Sequence, residues 1–269
     1  MSARICTCLA AVPLLAALGI SGCASAPETG RSQLLLIDSA QEASMGLKAF
    51  QEIKADTPIS SNRKENERLQ RVGGDIARVA RLPNARWEFV LFDEPKQPNA
   101  FALPGGKVGV YTGILPITLN DAGLATVIGH EVAHAAARHG AERVSQGLAL
   151  QVGGSVLSAA LGAGGYGGVT QELAMQAYGL GAQVGVLLPY SRTQELEADR
   201  IGLMYMARAG YDPREAIAFW KRFQAYNSKS GGQSLAFLST HPLDDSRIAE
   251  LQKHLPKALA EYRRDGGRG

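Results

Sequence analysis

The sequence predicts an α+β fold, a mainly helical domain with a small sheet set beside one apolar helix. Three observations predict it. Apolar residues recur at helical intervals in two stretches before residue 80. Short aromatic and β-branched runs then follow, punctuated by Pro, Gly and Asn. Helical patterns dominate the rest of the chain, beginning with an apolar run that contains His130-Glu131-Val132-Ala133-His134.

Residues 1–22 read as an address rather than as fold. Arg4 charges a short n-region, and an apolar run from Ile5 to about Ile20 follows, too short and too poorly flanked for a membrane span. Ser21 and Gly22 place small residues just before Cys23, which resembles the bacterial lipoprotein box, where the Cys becomes the lipidated first residue. Ala24 follows rather than Asp, and by resemblance to sorting in Gram-negative bacteria this implies the outer membrane. An ordinary signal peptide with Cys23 incidental is the alternative. Cys6 and Cys8 would leave with the leader, so the mature chain could form no internal disulfide. Lipid on Cys23 would hold the protein at a membrane without a spanning helix.

Residues 23–37 therefore read as a lipidated N-terminus and tether, with Ala24 to Gln33 small and polar, and 38–269 as one domain large enough for its own core. Ser39 and Glu42 have capping-box spacing, and Ala43, Leu47, Phe50 and Ile53 continue a helix from them. Leu69, Val72, Ile76 and Val79 mark a second amphipathic helix. Arg86 to Phe92 reads as a strand, and Asn99–Leu103 with Lys107–Tyr111 as a strand pair about Pro104-Gly105-Gly106. A helix from about Asp121 to Arg138 follows, with Asp121 at its N-cap.

From Val144 to Gln171 the chain carries no charge, and the glycine-rich stretch 162–168 interrupts it. Gln146, Gln151, Ser155 and Ser158 make it a poor span. Residues 144–188 read as a helical hairpin over the active-site face, or as a surface that meets lipid or a membrane-protein partner. Phe219, Trp220 and Phe223 follow helical spacing and read as core. The net charge of +3 is interspersed, with no basic stripe and interleaved aromatics, which excludes nucleic acid as a partner. No repeat of solenoid period occurs.

The chemistry is carried by the five residues His130 to His134. Two imidazoles four residues apart lie close on one helix face and can grip one metal ion. Glu131 sits at the edge of that face, where it can take a proton from an activated water and pass it to a leaving amine. Zn²⁺ is the expected ion. Neither Ala137 nor Gly140 supplies the Gly and third His of the longer metzincin pattern, so a third ligand must come from elsewhere. His139, five residues past His134, reads as facing away and structural.

The best source is Ser191-Arg192-Thr193-Gln194-Glu195-Leu196-Glu197-Ala198-Asp199. Glu195 and Asp199 share a helix face, and Glu197 points roughly opposite. Glu195 can give zinc a carboxylate oxygen. Asp199 can accept the free ring N–H of a ligand His, a helix-surface Asp being the bland alternative. Arg192 can neutralise the acidic cluster. His241, between Thr240 and Pro242, can donate to an oxyanion, approach zinc as a fourth ligand that blocks water, or simply pack a loop. His254 reads as a solvated residue of a terminal helix.

Asn99–Gly106, the metal helix, Ser191-Arg192…Glu195…Asp199 and Ser239-Thr240-His241-Pro242 together resemble the gluzincin metallopeptidases that include the CAAX prenyl proteases and the bacterial HtpX, BepA and LoiP proteins. The similarity runs from about Asp38 to Leu251 and is nearest to the small lipoprotein members, without HtpX-like spanning helices or a BepA-like repeat domain. The resemblance implies Zn²⁺ on His130, His134 and Glu195, with Glu131 as general base. It also implies that Asn99, Ala100, Phe101, Ala102 and Leu103 border the cleft, where a peptide could add as a strand. The expected protein is an outer-membrane, periplasm-facing zinc endopeptidase acting on misfolded envelope or outer-membrane proteins, with outer-membrane assembly proteins as candidate partners. The rival is a periplasmic chaperone or assembly factor with a self-inhibited metal site.

Overall fold

A computed structural model describes residues 23–26, 28–80, 82, 84–160, 191–229, 236–242 and 245–264. Residues 1–22, the expected leader, and residues 161–190, most of the expected hairpin, lie outside the described residues. The order is β1 (Cys23–Ser25), β2 (Ser32–Leu34), α1 (Ser39–Asp56), α2 (Arg63–Ala80), β3 (Glu88–Phe92), β4 (Ala100–Leu103) and β5 (Lys107–Tyr111). A 3₁₀ turn (Thr112–Ile114) leads into α3 (Leu115–Thr118) and α4 (Asp121–Ala136), followed by α5 (His139–Ala160), α6 (Arg192–Arg208), α7 (Arg214–Lys229), α8 (Ala236–Thr240) and α9 (Asp245–Arg264). The architecture is the expected α+β one. Among the described residues no helix is long and apolar enough to cross a membrane.

Strands β3, β5 and β4 form a mixed sheet with β5 in the centre, parallel to β3 and antiparallel to β4. Its side chains alternate between two cores, because successive residues of a strand face opposite ways. Ala100, Ala102, Val108 and Val110 pack towards α4, while Phe101, Leu103, Phe92 and Tyr111 surround Phe50 of α1. Gly105 (φ 80°) and Gly106 (φ 84°) make the β4–β5 turn in a left-handed conformation that costs glycine little. Pro58 to Ser60 close the outer side of β3 through Ser60 N–Leu91 O and Asp93 N–Pro58 O bonds of 2.8 Å. On β4, Asn99 bonds Tyr111 inwards, so the alternation of an antiparallel ladder turns the main chain of Ala100 and Ala102 outwards.

Several local expectations are corrected. The N-cap of α1 is Asp38, whose carboxylate accepts from Ala40 N and Gln41 N at 2.8 Å while Gln41 closes the capping box. Glu42 is instead buried against Arg138 at 2.7 Å. Leu47 is exposed, and Ala49 shares the inner face with Phe50. Asn120 caps α4 by accepting from Gly123 N, which leaves Asp121 in the first turn paired with Arg68 and Arg71. The expected tether is folded onto the domain. β1 and β2 pair antiparallel, Ala26 enters the main core, and Leu35 and Ile37 pack on α5.

Candidate metal centre

Helix α4 is buried from Gly123 to His134, the pattern of a helix surrounded by protein rather than lying on a surface. It crosses α6 at paired glycines. A Cβ on Gly202 would lie 2.8 Å from His130 N, and one on Gly129 would lie 3.1 Å from Gly202 O. This close approach brings Glu195 and Asp199 of α6 up to the two histidines. Ser191 starts α6 with a capping box closed by Gln194, which puts Glu195 in the first turn, where the helix dipole favours a carboxylate.

His130, His134, Glu195 and His241 present four donor atoms that all lie within 4.8 Å of one another. His130 Nε2 is 3.1 Å from His134 Nε2 and 3.3 Å from His241 Nδ1. Glu195 Oε1 is 3.3 Å from His134 Nε2 and 3.0 Å from His241 Nδ1. Donors on a tetrahedral ion with bonds of about 2.0–2.1 Å stand about 3.3 Å apart, so these separations fit one zinc-sized ion. The donor set also fits: two imidazoles and a carboxylate are hard-to-borderline ligands suited to zinc. Among the described residues, buried Glu131 Oε1 has no hydrogen-bond partner, and it faces His241 Nε2 at 3.5 Å.

Around these atoms, His130 Nδ1 donates to Asp199 Oδ1 at 2.9 Å. Arg247 of α9, fully buried, contacts Asp199 through Nε and Nη2 at 2.7 Å each and Glu195 through Nη1 at 2.8 Å. Its guanidinium lies 4.0 Å from the centre of the Trp220 ring, which also stands edge-on to His130. Burial opposes ionisation of Glu195, but the charges of His241 and Arg247, with the rings of His130 and His134 beside it, hold its pKa well below the carboxylate range. Burial similarly opposes Asp199, and Arg247 outweighs it. Burial would also lower His130, yet Asp199 and Glu195 raise it to about 9 in the absence of an ion. Glu131 is pushed up, chiefly by burial and against the pull of His241 and His130, which is the direction a general base needs.

A model of peptidase family M48 matches residues 63–255, most of the chain. The chain belongs to peptidase family M48. Among relatives of this M48 chain, the mitochondrial metalloendopeptidase OMA1 of Schizosaccharomyces pombe is 37% identical over 220 residues, 81% of this chain and 62% of the relative. That of Saccharomyces cerevisiae is 40% identical over 185 residues, covering 67% of this chain and 50% of the relative. The β-barrel assembly-enhancing protease of Yersinia pestis is 29% identical over 233 residues, 84% of this chain and 46% of the relative. The M48 chain thus spans about half the length of the curated relatives it matches.

The structure brings His130, Glu131, His134, Glu195, Asp199 and His241 together. It places Arg192 on the surface, and the cation in the M48 site is Arg247. His139 does not face away. Its Nδ1 lies 2.8 Å from His134 Nδ1, and its Nε2 lies 3.0 Å from Glu197 Oε2. α4 ends at Ala136 and Arg138 turns the chain at φ 56°, so helical spacing does not carry across the corner. Glu197 is buried, accepts from His139, Thr29 and Arg31, and is held down to about 2 by those bonds against the effect of burial. His254 is half-buried against Glu250 at 2.7 Å. β4 lies against α4 as the outer strand of the sheet, so Ala100–Leu103 flank the helix that carries the histidines.

Proposed function

We propose that the chain is a zinc-dependent endopeptidase that acts on unfolded or misfolded polypeptides of the cell envelope. The observation that carries this reading is the donor cluster of His130, His134 and Glu195 at tetrahedral spacing with the carboxylate of Glu131 buried beside it. Zn²⁺ held there would supply Lewis acidity towards the scissile carbonyl and towards water. Glu131 accepts the proton of the attacking water and returns it to the leaving amine. Asp199 fixes the His130 ring through Nδ1, and Arg247 steadies both Asp199 and Glu195. The outward main chain of Ala100 and Ala102 suits an extended peptide added as a further strand, with Asn99 to Leu103 as its track. The leader pattern and Cys23 support lipid attachment at the periplasmic face of the outer membrane, and the name of the Yersinia pestis relative supports proteins of β-barrel assembly among the substrates or partners.

Glu131→Gln is expected to keep stoichiometric zinc and to lose about 10²–10⁴-fold in cleavage of casein. The parent should yield fragments that a chelator abolishes. Full activity in the variant would remove Glu131 from its role.

A second reading has a specific observation behind it. His241 Nδ1 occupies the fourth donor position, 3.0 Å from Glu195 Oε1. A fourth protein ligand closes the site to water, so the described state would be self-inhibited, suited to holding a client until His241 moves. His241→Ala is then expected to raise peptide turnover. A fall in kcat instead would make His241 an oxyanion donor.

A further inference from the structure

His139 and Glu197 lie outside the donor cluster, and both are buried. The two rings of His134 and His139 meet Nδ1 to Nδ1 at 2.8 Å, so one proton is shared between two nitrogens and one of them must own it. The far side of His139 decides which. Glu197 is a carboxylate that also takes Thr29 Oγ1 and, at 2.6 Å, Arg31 Nε, and an ionised carboxylate can only accept. The proton on the 3.0 Å contact between His139 Nε2 and Glu197 Oε2 therefore belongs to His139. A neutral imidazole has one donor and one acceptor, so His139 Nδ1 accepts and His134 Nδ1 donates. The remaining nitrogen of His134, Nε2, is left with its lone pair towards Glu195 and His130, the form a metal requires.

We infer that Glu197 and His139 form a relay of positioning residues that fixes the metal-binding tautomer of His134, with Arg31 of the N-terminal segment holding its outer end. The two ligand histidines are then oriented by carboxylates of the same helix, α6. Asp199 orients His130 directly at 2.9 Å, and Glu197 orients His134 through one intervening ring. Arg31 also grips Glu142 of α5 with two contacts of 2.7 Å, and Gln194 donates to Glu142 at 2.8 Å. The relay thus joins the chain just after Cys23 to the metal site.

This inference rests on the proposed zinc reading, and the test separates the two. Zinc affinity is measured by chelator competition on the parent, His139→Leu and His139→Gln, with thermal melts of each metal-free protein alongside. His139→Leu is expected to lose about 10–100-fold in affinity, the usual effect of removing a partner behind a ligand. His139→Gln keeps an acceptor for His134 and a donor for Glu197, and is expected to restore most of the loss. A parent that binds zinc while His139→Leu binds it equally well overturns the relay alone. A parent without stoichiometric zinc overturns the metal reading and the relay with it. Nitrogen NMR of the histidine-labelled parent decides the matter even where His139→Leu fails to fold. His134 should carry its proton on Nδ1 and His139 on Nε2, and a proton on His134 Nε2 in the metal-free protein would overturn the proposal.

Discussion

Arg247 sets the charge balance of the site. Glu195 and Asp199 are both buried carboxylates, and burial of such charges is costly without a partner. Removing one member of a buried ion pair leaves the other uncompensated, so Arg247→Met is expected to lower stability by about 3–5 kcal/mol. Denaturant unfolding in the presence of chelator reads this. An unchanged midpoint would show that the two carboxylates are balanced elsewhere. His130, Glu131 and His134 were legible because their whole relation lies within one helix, where spacing fixes direction. Glu195 and Asp199 were legible for the same reason. The need for a cation near them was also visible in the sequence. Its identity was not, because Arg192 is adjacent in sequence and exposed, whereas Arg247 arrives from a different helix.

At the scale of elements, the crossing of α4 and α6 determines whether the carboxylates reach the histidines. Gly202→Ala would set a methyl group 2.8 Å from a main-chain nitrogen, which cannot yield as a flexible side chain would. The helices must separate. The expected cost is about 1–3 kcal/mol in stability, together with weaker zinc binding. Thermal melts and chelator competition check both, and undiminished affinity would mean that the crossing distance does not set the ligand geometry. The strands were legible from their short aromatic and β-branched runs between turn residues, and both faces proved buried, one against α4 and one against Phe50. Helix starts were less so. Asp38 and Ser39 are adjacent residues of capping type, and Asp38 won because its carboxylate reaches two amide groups and Gln41 reciprocates. The box formed by Ser191 and Gln194 had a readable spacing and was missed.

At the scale of the whole molecule, the N-terminal segment is part of the fold. Arg31 bridges α5 and α6 through Glu142 and Glu197, and polar composition alone gave no sign of it because the partners are 111 and 166 residues away. The grip has a pH signature. Burial opposes ionisation of Glu142, but hydrogen bonds from Arg31 and Gln194 hold its folded pKa below the ordinary value of 4.5. The unfolded chain therefore takes up the proton first as pH falls. The stabilisation is complete above that value and disappears as pH drops through the folded pKa. Melts between pH 6 and 3 should show a smaller acid loss for Glu142→Gln than for the parent, and parallel curves would remove Glu142 from the account. The sharp corner at Ala137 and Arg138 has its own consequence. Arg138 is pinned in its left-handed turn by Glu42 and Ile37 O, so the phase of α5 relative to α4 is set by the length of this link. One residue added or removed would rotate α5 by about 100° and swing His139 and Glu142 away together. The length of the link between α4 and α5 is therefore as much a determinant of the candidate site as the donor side chains, although no residue of the link belongs to the donor cluster.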